Sequence, residues 1–231
     1  MAPQIQIAPA RAHLTLAIDG ADPLTPELVR TVTEACGRAE DAPDGGALLI
    51  RLTGRRPLDA GPAAPHYPAV HLVNKWERAL RRLEQLPTAT VATLTGDCFG
   101  LAADVLLATD YRIAGTGLQL RLATAGGTTW PGMALYRLAQ QIGVGRARRI
   151  ALFGGELSAW QALELRLVDE VSDDVEAALA AALDGLTGPR AHDVAVRRRL
   201  LMDASSISFE DALGPHLAAC DRALRLTAAA S

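Results

Sequence analysis

Lysine is nearly missing from this chain: Lys75 is the only one, although lysine and arginine together number 23. Alanine is very common beside the arginines, and the bias reads as a GC-rich coding sequence rather than a demand for guanidinium chemistry. An excess of positive charge is missing too. A net charge of −3 and an isoelectric point near 6.0 leave no basic footprint for a nucleic acid, so small molecules and other proteins are the expected partners. Cysteine is scarce: Cys36, Cys98 and Cys220 are odd in number, far apart, and in no C-x-x-C or Cys/His spacing. That excludes a disulfide framework and fits a reducing cytoplasm. The five histidines are scattered without ligand spacing, so no metal is expected. No stretch of about 18 uninterrupted apolar residues offers a membrane span, and no charged-then-apolar segment reads as a signal peptide. A soluble, cytoplasmic protein is the expectation. G-x-S-x-G, P-loop and G-x-G-x-x-G motifs are absent, which removes esterase, nucleotide-triphosphatase and dinucleotide readings.

What is present suits one large domain: 231 residues at 49% hydrophobic can bury a full core. Residues 13 to 18 alternate, with Leu14, Leu16 and Ile18 on one face, and predict a strand with one buried side. Thr25-Pro26-Glu27 starts a helix well, with Thr25 as N-cap and Leu28, Val29, Val32, Ala35 and Cys36 at helical spacing. Residues 47 to 53 form a continuous apolar run, typical of a buried strand, ended by Gly54. The stretch 55 to 68 is rich in Pro, Gly and Ala and reads as a loop long enough to be functional. Residues 69 to 86 predict an amphipathic helix with Val70, Val73, Trp76, Leu80 and Leu83 along one side. A strand over 90 to 95, a turn over 96 to 100 and an apolar helix over 101 to 109 lead into Asp110-Tyr111-Arg112, and this order implies a parallel crossover. The remainder reads as mostly helical, with a capping box from Ser158 to Gln161 and a helical C-terminal section from about 191 to 226.

From residue 87 the order P-T-A-T-V-A-T-L-T-G-D-C-F-G-L-A-A-D-V-L-L-A-T-D-Y-R-I-A, then W-P-G-M-A-L-Y-R-L-A-Q-Q-I-G, then A-L-F-G-G-E-L-S-A-W-Q-A-L-E-L-R-L-V-D-E-V resembles the enoyl-CoA hydratase/isomerase (crotonase) family. The resemblance covers about residues 10 to 225 and is strongest from 87 to 172. K-W-E-R-A-L-R-R-L-E-Q-L-P and the ending S-F-E-D-A-L-G-P-H-L-A-A-C-D-R-A-L look more narrowly like one subfamily, the B-component of the dihydroxyphenylglycine pathway. The resemblance implies an α/β fold, a crotonase spiral of ββα units over residues 1 to 190, followed by a C-terminal helical trimerisation segment over 191 to 231. It implies a homotrimer or a hexamer.

The family holds an acyl-CoA thioester so that two backbone N–H groups meet the charge developing on its carbonyl oxygen. CoA would be part of the substrate, not a cofactor. In the matching segment Gly100-Leu101-Ala102-Ala103-Asp104, Leu101 falls at one donor position and Asp104 at the first of the two family glutamates, one methylene shorter. Counting back from Pro131-Gly132 puts Thr124 at the second glutamate, where a hydroxyl cannot serve as a base and is better read as lining the pocket. The other donor follows an A-G pair in the family, and Ala60-Gly61 is the nearest match, which puts Pro62 at the donor position. Proline has no N–H, so either the register of that loop differs or the hole has one donor. Trp130 beside Gly132 fits either an aromatic acyl pocket or core packing. Cys98, in the same turn as Leu101, reads as a small apolar side chain rather than a nucleophile. Arg55, Arg56 and Lys75 are candidates for the CoA phosphates.

Two functions fit this residue set. One is an acyl-CoA hydro-lyase with reduced catalytic carboxylates. The resemblance implies dehydration and aromatisation of a polyketide-derived thioester to 3,5-dihydroxyphenylacetyl-CoA in antibiotic biosynthesis, alongside a type III polyketide synthase and a second hydratase-like protein. The other is a catalytically degenerate partner that keeps the fold and enhances the synthase; Pro62 and Thr124 favour it. A generic hydratase of fatty-acid breakdown is disfavoured by the missing second carboxylate.

Overall fold

A parallel sheet organises the chain, described here from a computed structural model over residues 5–8, 13–42, 46–54, 69–125, 128–186 and 194–229. β1 (Ile5–Ala8) pairs antiparallel with β2 (His13–Asp19) at one edge. β2, β3 (Ala47–Gly54), β4 (Ala89–Cys98) and β5 (Tyr111–Gly115) then follow in parallel, with β10 (Glu170–Ser172) parallel to β5 at the far edge. Parallel neighbours need crossovers, and α1 (Pro26–Glu40), α2 (Val70–Glu84) and α3 (Leu101–Leu106) lie in those between β2 and β5. The chain continues through β6 (Gln119–Leu120), β7 (Thr124–Ala125), β8 (Thr128–Thr129), α4 (Met133–Phe153), β9 (Leu157–Ser158), α5 (Ala159–Glu164), α6 (Val175–Gly185), α7 (Val194–Asp203) and α8 (Phe209–Ala229).

Strand β3 shows why its sequence reads as unbroken apolar. Leu48, Ile50 and Leu52 join Leu28, Val32, Leu80 and Leu83 of α1 and α2 in the main core. Ala47 and Leu49 point the other way and join Val91, Ile113 and Leu179 in a second cluster with α6. Both faces are covered, so neither can be polar. The start of α1 follows its cap: the Thr25 side chain accepts from Leu28 N–H at 3.2 Å, with Pro26 in the first turn. Ser158 and Gln161 form the expected capping box on α5.

Three expectations need correction. Residues 96 to 98 belong to β4 rather than to a turn, because Asp97 and Cys98 pair with Gln119 and Leu120 of β6. The helix expected to reach residue 109 ends at Leu106, where Ala108 and Thr109 N–H turn back to the carbonyls of Val105 and Leu106. Val70, expected on the apolar stripe of α2, is exposed, and the buried stripe runs through Trp76, Ala79, Leu80 and Leu83. The part expected to be mostly helical is so, in α4 to α8, with the short strands β6 to β8 before them and β9 and β10 between them among the described residues.

Arg198 ties the C-terminal segment to the core. Arg198 of α7 donates to Asp110 Oδ1 at 2.6 Å, to Leu86 O at 2.5 Å and to Thr88 O at 2.9 Å. Beyond it α8 presents Phe209, Leu217 and Leu224 to the outside. Among the described residues no helix is long and apolar enough to cross a membrane.

Candidate active site

The site begins where β2 and β3 end and β4 runs on past them. Gly54 pairs with Gly96, and the chain from Asp97 to Phe99 then passes over the end of β2 so closely that a Cβ on Gly20 would lie 2.4 Å from Phe99 O. Gly100 turns the chain with φ +56°, a region that side chains rarely adopt, and its own Cβ would lie 3.0 Å from Gly20 O. Two glycines back to back therefore set the entry to α3.

Two of the N–H groups in that turn are taken internally. Ala102 N–H bonds Phe99 O at 3.2 Å and Asp104 N–H bonds Gly100 O at 3.3 Å, whereas no described acceptor takes Leu101 N–H. The first N–H groups of a helix have no partner within it, and Leu101 N–H can donate to an oxygen from outside. With six residues, α3 offers individual N–H groups rather than a long helix dipole.

Asp104 lies one turn further on, 6% exposed. Its Oδ2 accepts the indole N–H of Trp76 at 3.2 Å, from a residue that is itself 1% exposed on α2. Burial pushes the Asp104 carboxyl up to about 7; the Trp76 hydrogen bond pulls it down, Glu77 raises it and Arg137 lowers it. Near neutrality both protonation states are populated, which is what a group that must take and return a proton needs.

Behind Trp76 a buried ionic cluster joins α2 to α4. Arg137 Nε donates to Glu84 Oε1 at 2.5 Å and its Nη1 to Glu77 Oε2 at 2.8 Å. Burial works against the guanidinium charge, but the two glutamates outweigh it and raise Arg137. Arg81 adds a bond to Glu84 at 3.1 Å. Glu77 and Arg137 also stand on the wall of a cavity of about 590 Å³ between α2, α4 and the α7–α8 turn, with Tyr136, Met202 and Ser205.

The other residues singled out in the sequence fall as follows. Cys98 is fully buried, and desolvation with the nearby Asp104 charge pushes its thiol up, so it remains an apolar thiol. Thr124 is exposed on the β7–β8 ribbon, paired with Thr129. Trp130 is half-buried; its backbone N–H donates to Ala123 O at 2.7 Å, and a Cβ on Gly132 would lie 2.7 Å from its indole ring. Gly132 caps α4 without a side-chain bond. Lys75 is exposed on α2. Arg55, Arg56, Ala60, Gly61 and Pro62 lie outside the described residues. Among the described residues, no group of three or more His, Cys, Asp or Glu side chains is placed to hold a metal ion.

Trp76, Glu77, Glu84 and Arg137 were not picked out in the sequence as parts of the site. One signal was available: an indole N–H on the buried stripe of a helix needs an acceptor, and Asp104 was the carboxylate already in view.

The arrangement of the parallel sheet and its crossover helices matches solved structures of one fold. The crystal structure of an enoyl-CoA hydratase/isomerase from Marinobacter aquaeolei superposes with a TM-score of 0.78 at 17% identity, covering 96% of this chain and 91% of that one. An enoyl-CoA hydratase from Bacillus anthracis superposes with a TM-score of 0.75 at 22% identity, covering 94% and 89%. These likenesses establish the crotonase fold. A protein described as an enoyl-CoA hydratase from Amycolatopsis orientalis is 46% identical over 213 residues, covering 92% of this chain and 96% of that one. Residues 67–208 match the enoyl-CoA hydratase/isomerase family. The chain belongs to that family.

Proposed function

We propose that the protein removes water from a polyketide-derived CoA thioester, giving 3,5-dihydroxyphenylacetyl-CoA for dihydroxyphenylglycine and antibiotic biosynthesis. The observation that carries this reading is the pairing of an available Leu101 N–H with the Asp104 carboxyl one turn away, titrating at about 7. The thioester oxygen accepts from Leu101 N–H, which stabilises the enolate formed when Asp104 takes the proton next to the carbonyl. Asp104 then returns that proton to the departing hydroxyl. One C–H and one C–O bond break, a C=C bond forms, water leaves, and Asp104 ends as it began. Because the ring becomes aromatic, the elimination runs downhill, and one carboxyl that shuttles the proton replaces two that would place a water. The subfamily strings between residues 75 and 87 and at the C-terminus support the choice of substrate. Partners in this reading are the type III polyketide synthase, a second hydratase-like protein, and further copies of this chain in a homotrimer or hexamer.

The test adds purified protein to the synthase with malonyl-CoA and follows aromatic product. Asp104→Ala should lower the stimulation about 100-fold or more, the usual worth of a positioned acid–base group. Equal stimulation by both proteins would instead favour a non-catalytic partner that enhances the synthase.

A further inference from the structure

Asp104 and Trp76 are 28 residues apart in sequence and come from different helices, yet they meet in the most enclosed part of the site. An indole nitrogen donates and cannot accept. It therefore favours the carboxyl oxygen that carries no proton, the stronger acceptor of the two. The carboxyl has two oxygens, and the indole occupies Oδ2 at 3.2 Å.

We infer that Trp76 is a positioning residue for Asp104: by holding Oδ2 it directs the mobile proton to Oδ1 and fixes the carboxyl plane. This rests on the proposed role of Asp104 as proton carrier. An aspartate on a short helix otherwise has several staggered χ1 positions, and its oxygens exchange freely. Trp76 restricts both freedoms because it is itself immobilised. Its ring lies in the main core with Leu80 and Leu83, while α2 is fastened to α1 by Arg82 to Glu40 and to α4 by Arg137 to Glu77 and Glu84.

The charged and titratable groups that act on Asp104 are Glu77 of α2, Arg137 of α4 and Cys98 of β4. Glu77 and Arg137 oppose one another, and the Cys98 thiol stays neutral. The indole hydrogen bond is thus the dominant influence favouring the carboxylate form against burial. Losing the N–H should raise the carboxyl by about half a unit to one unit, the equivalent of one ordinary hydrogen bond.

The experiment replaces the Trp76 indole by benzothiophene, which keeps the ring volume and removes only the N–H, with Trp76→Phe as a second variant. Expected are a kcat about fivefold or more lower, KM within about twofold, and the matching limb of the pH–rate profile moved upward by about half a unit or more. Independently of activity, the indole N–H resonance of Trp76 should move with pH around 7 in the wild type and stop moving in Asp104→Asn. A benzothiophene protein with wild-type kcat and pH profile, or an indole resonance indifferent to Asp104→Asn, overturns the inference. Full activity in Asp104→Ala overturns the proton-carrier reading first, and this inference with it. Loss in Asp104→Ala together with an unchanged benzothiophene protein overturns the inference alone.

Discussion

Burial of Asp104 makes stability depend on pH. Its carboxyl titrates at about 7 in the folded protein against 3.8 ordinarily, so the fold favours the neutral form. That preference is fully present below the ordinary value and is lost as pH rises through about 7. Asparagine stays neutral and still accepts the Trp76 N–H. Asp104→Asn should therefore stabilise the protein, and the gain measured by urea unfolding should be larger at about pH 8.5 than at about pH 5 by roughly 1–3 kcal/mol. An equal gain at both values would show that the carboxyl is not held neutral by burial. At this scale the sequence was half legible. Leu101 and Asp104 came into view through an ordered resemblance, whereas the Trp76–Asp104 bond and the Arg137 cluster depend on how α2 and α4 pack, which no local pattern encodes. Trp76 itself was visible only as one more apolar residue on a stripe.

Among the elements, short-range signals located α1, α2, β3 and α5 well, since caps and apolar periods act within a few residues. What failed was non-local. The last residues of β4 become strand only because β6, some twenty residues on, pairs with them. The docking of α7 was equally hidden, because Arg198 looks like its neighbours Arg197 and Arg199 until Asp110, Leu86 O and Thr88 O surround it. Arg198→Met would leave Leu86 O and Thr88 O without this donor and Asp110 held by Thr90 alone, at a cost of about 1–3 kcal/mol. The corresponding loss should appear in denaturant unfolding, while Arg199→Met, with an exposed side chain, should change stability by no more than about 0.5 kcal/mol.

Over the whole molecule, binary patterning and crossover order were enough for an α/β fold, and the structural likenesses bear that out. The trimerisation segment remains a proposal that α8 makes testable. Phe209, Leu217 and Leu224 are 74%, 59% and 70% exposed, three large apolar side chains on one helix that its own core does not cover. Subunit association through α8 would bury them. Replacing all three by glutamate should reduce the mass in light scattering from a trimer or hexamer to a single chain; an unchanged mass would place association elsewhere.

The central claim is that Leu101 N–H polarises a thioester carbonyl. Proline at position 101 deletes that N–H at the first helical residue, where proline is tolerated, so the fold should persist. Isotope-edited infrared spectroscopy of a carbonyl-labelled arylacetyl-CoA should show the C=O stretch shifting to lower frequency on binding the wild type. In Leu101→Pro it should lie at its frequency in water, with turnover about 100- to 1000-fold lower. The same low frequency in both proteins would contradict the account.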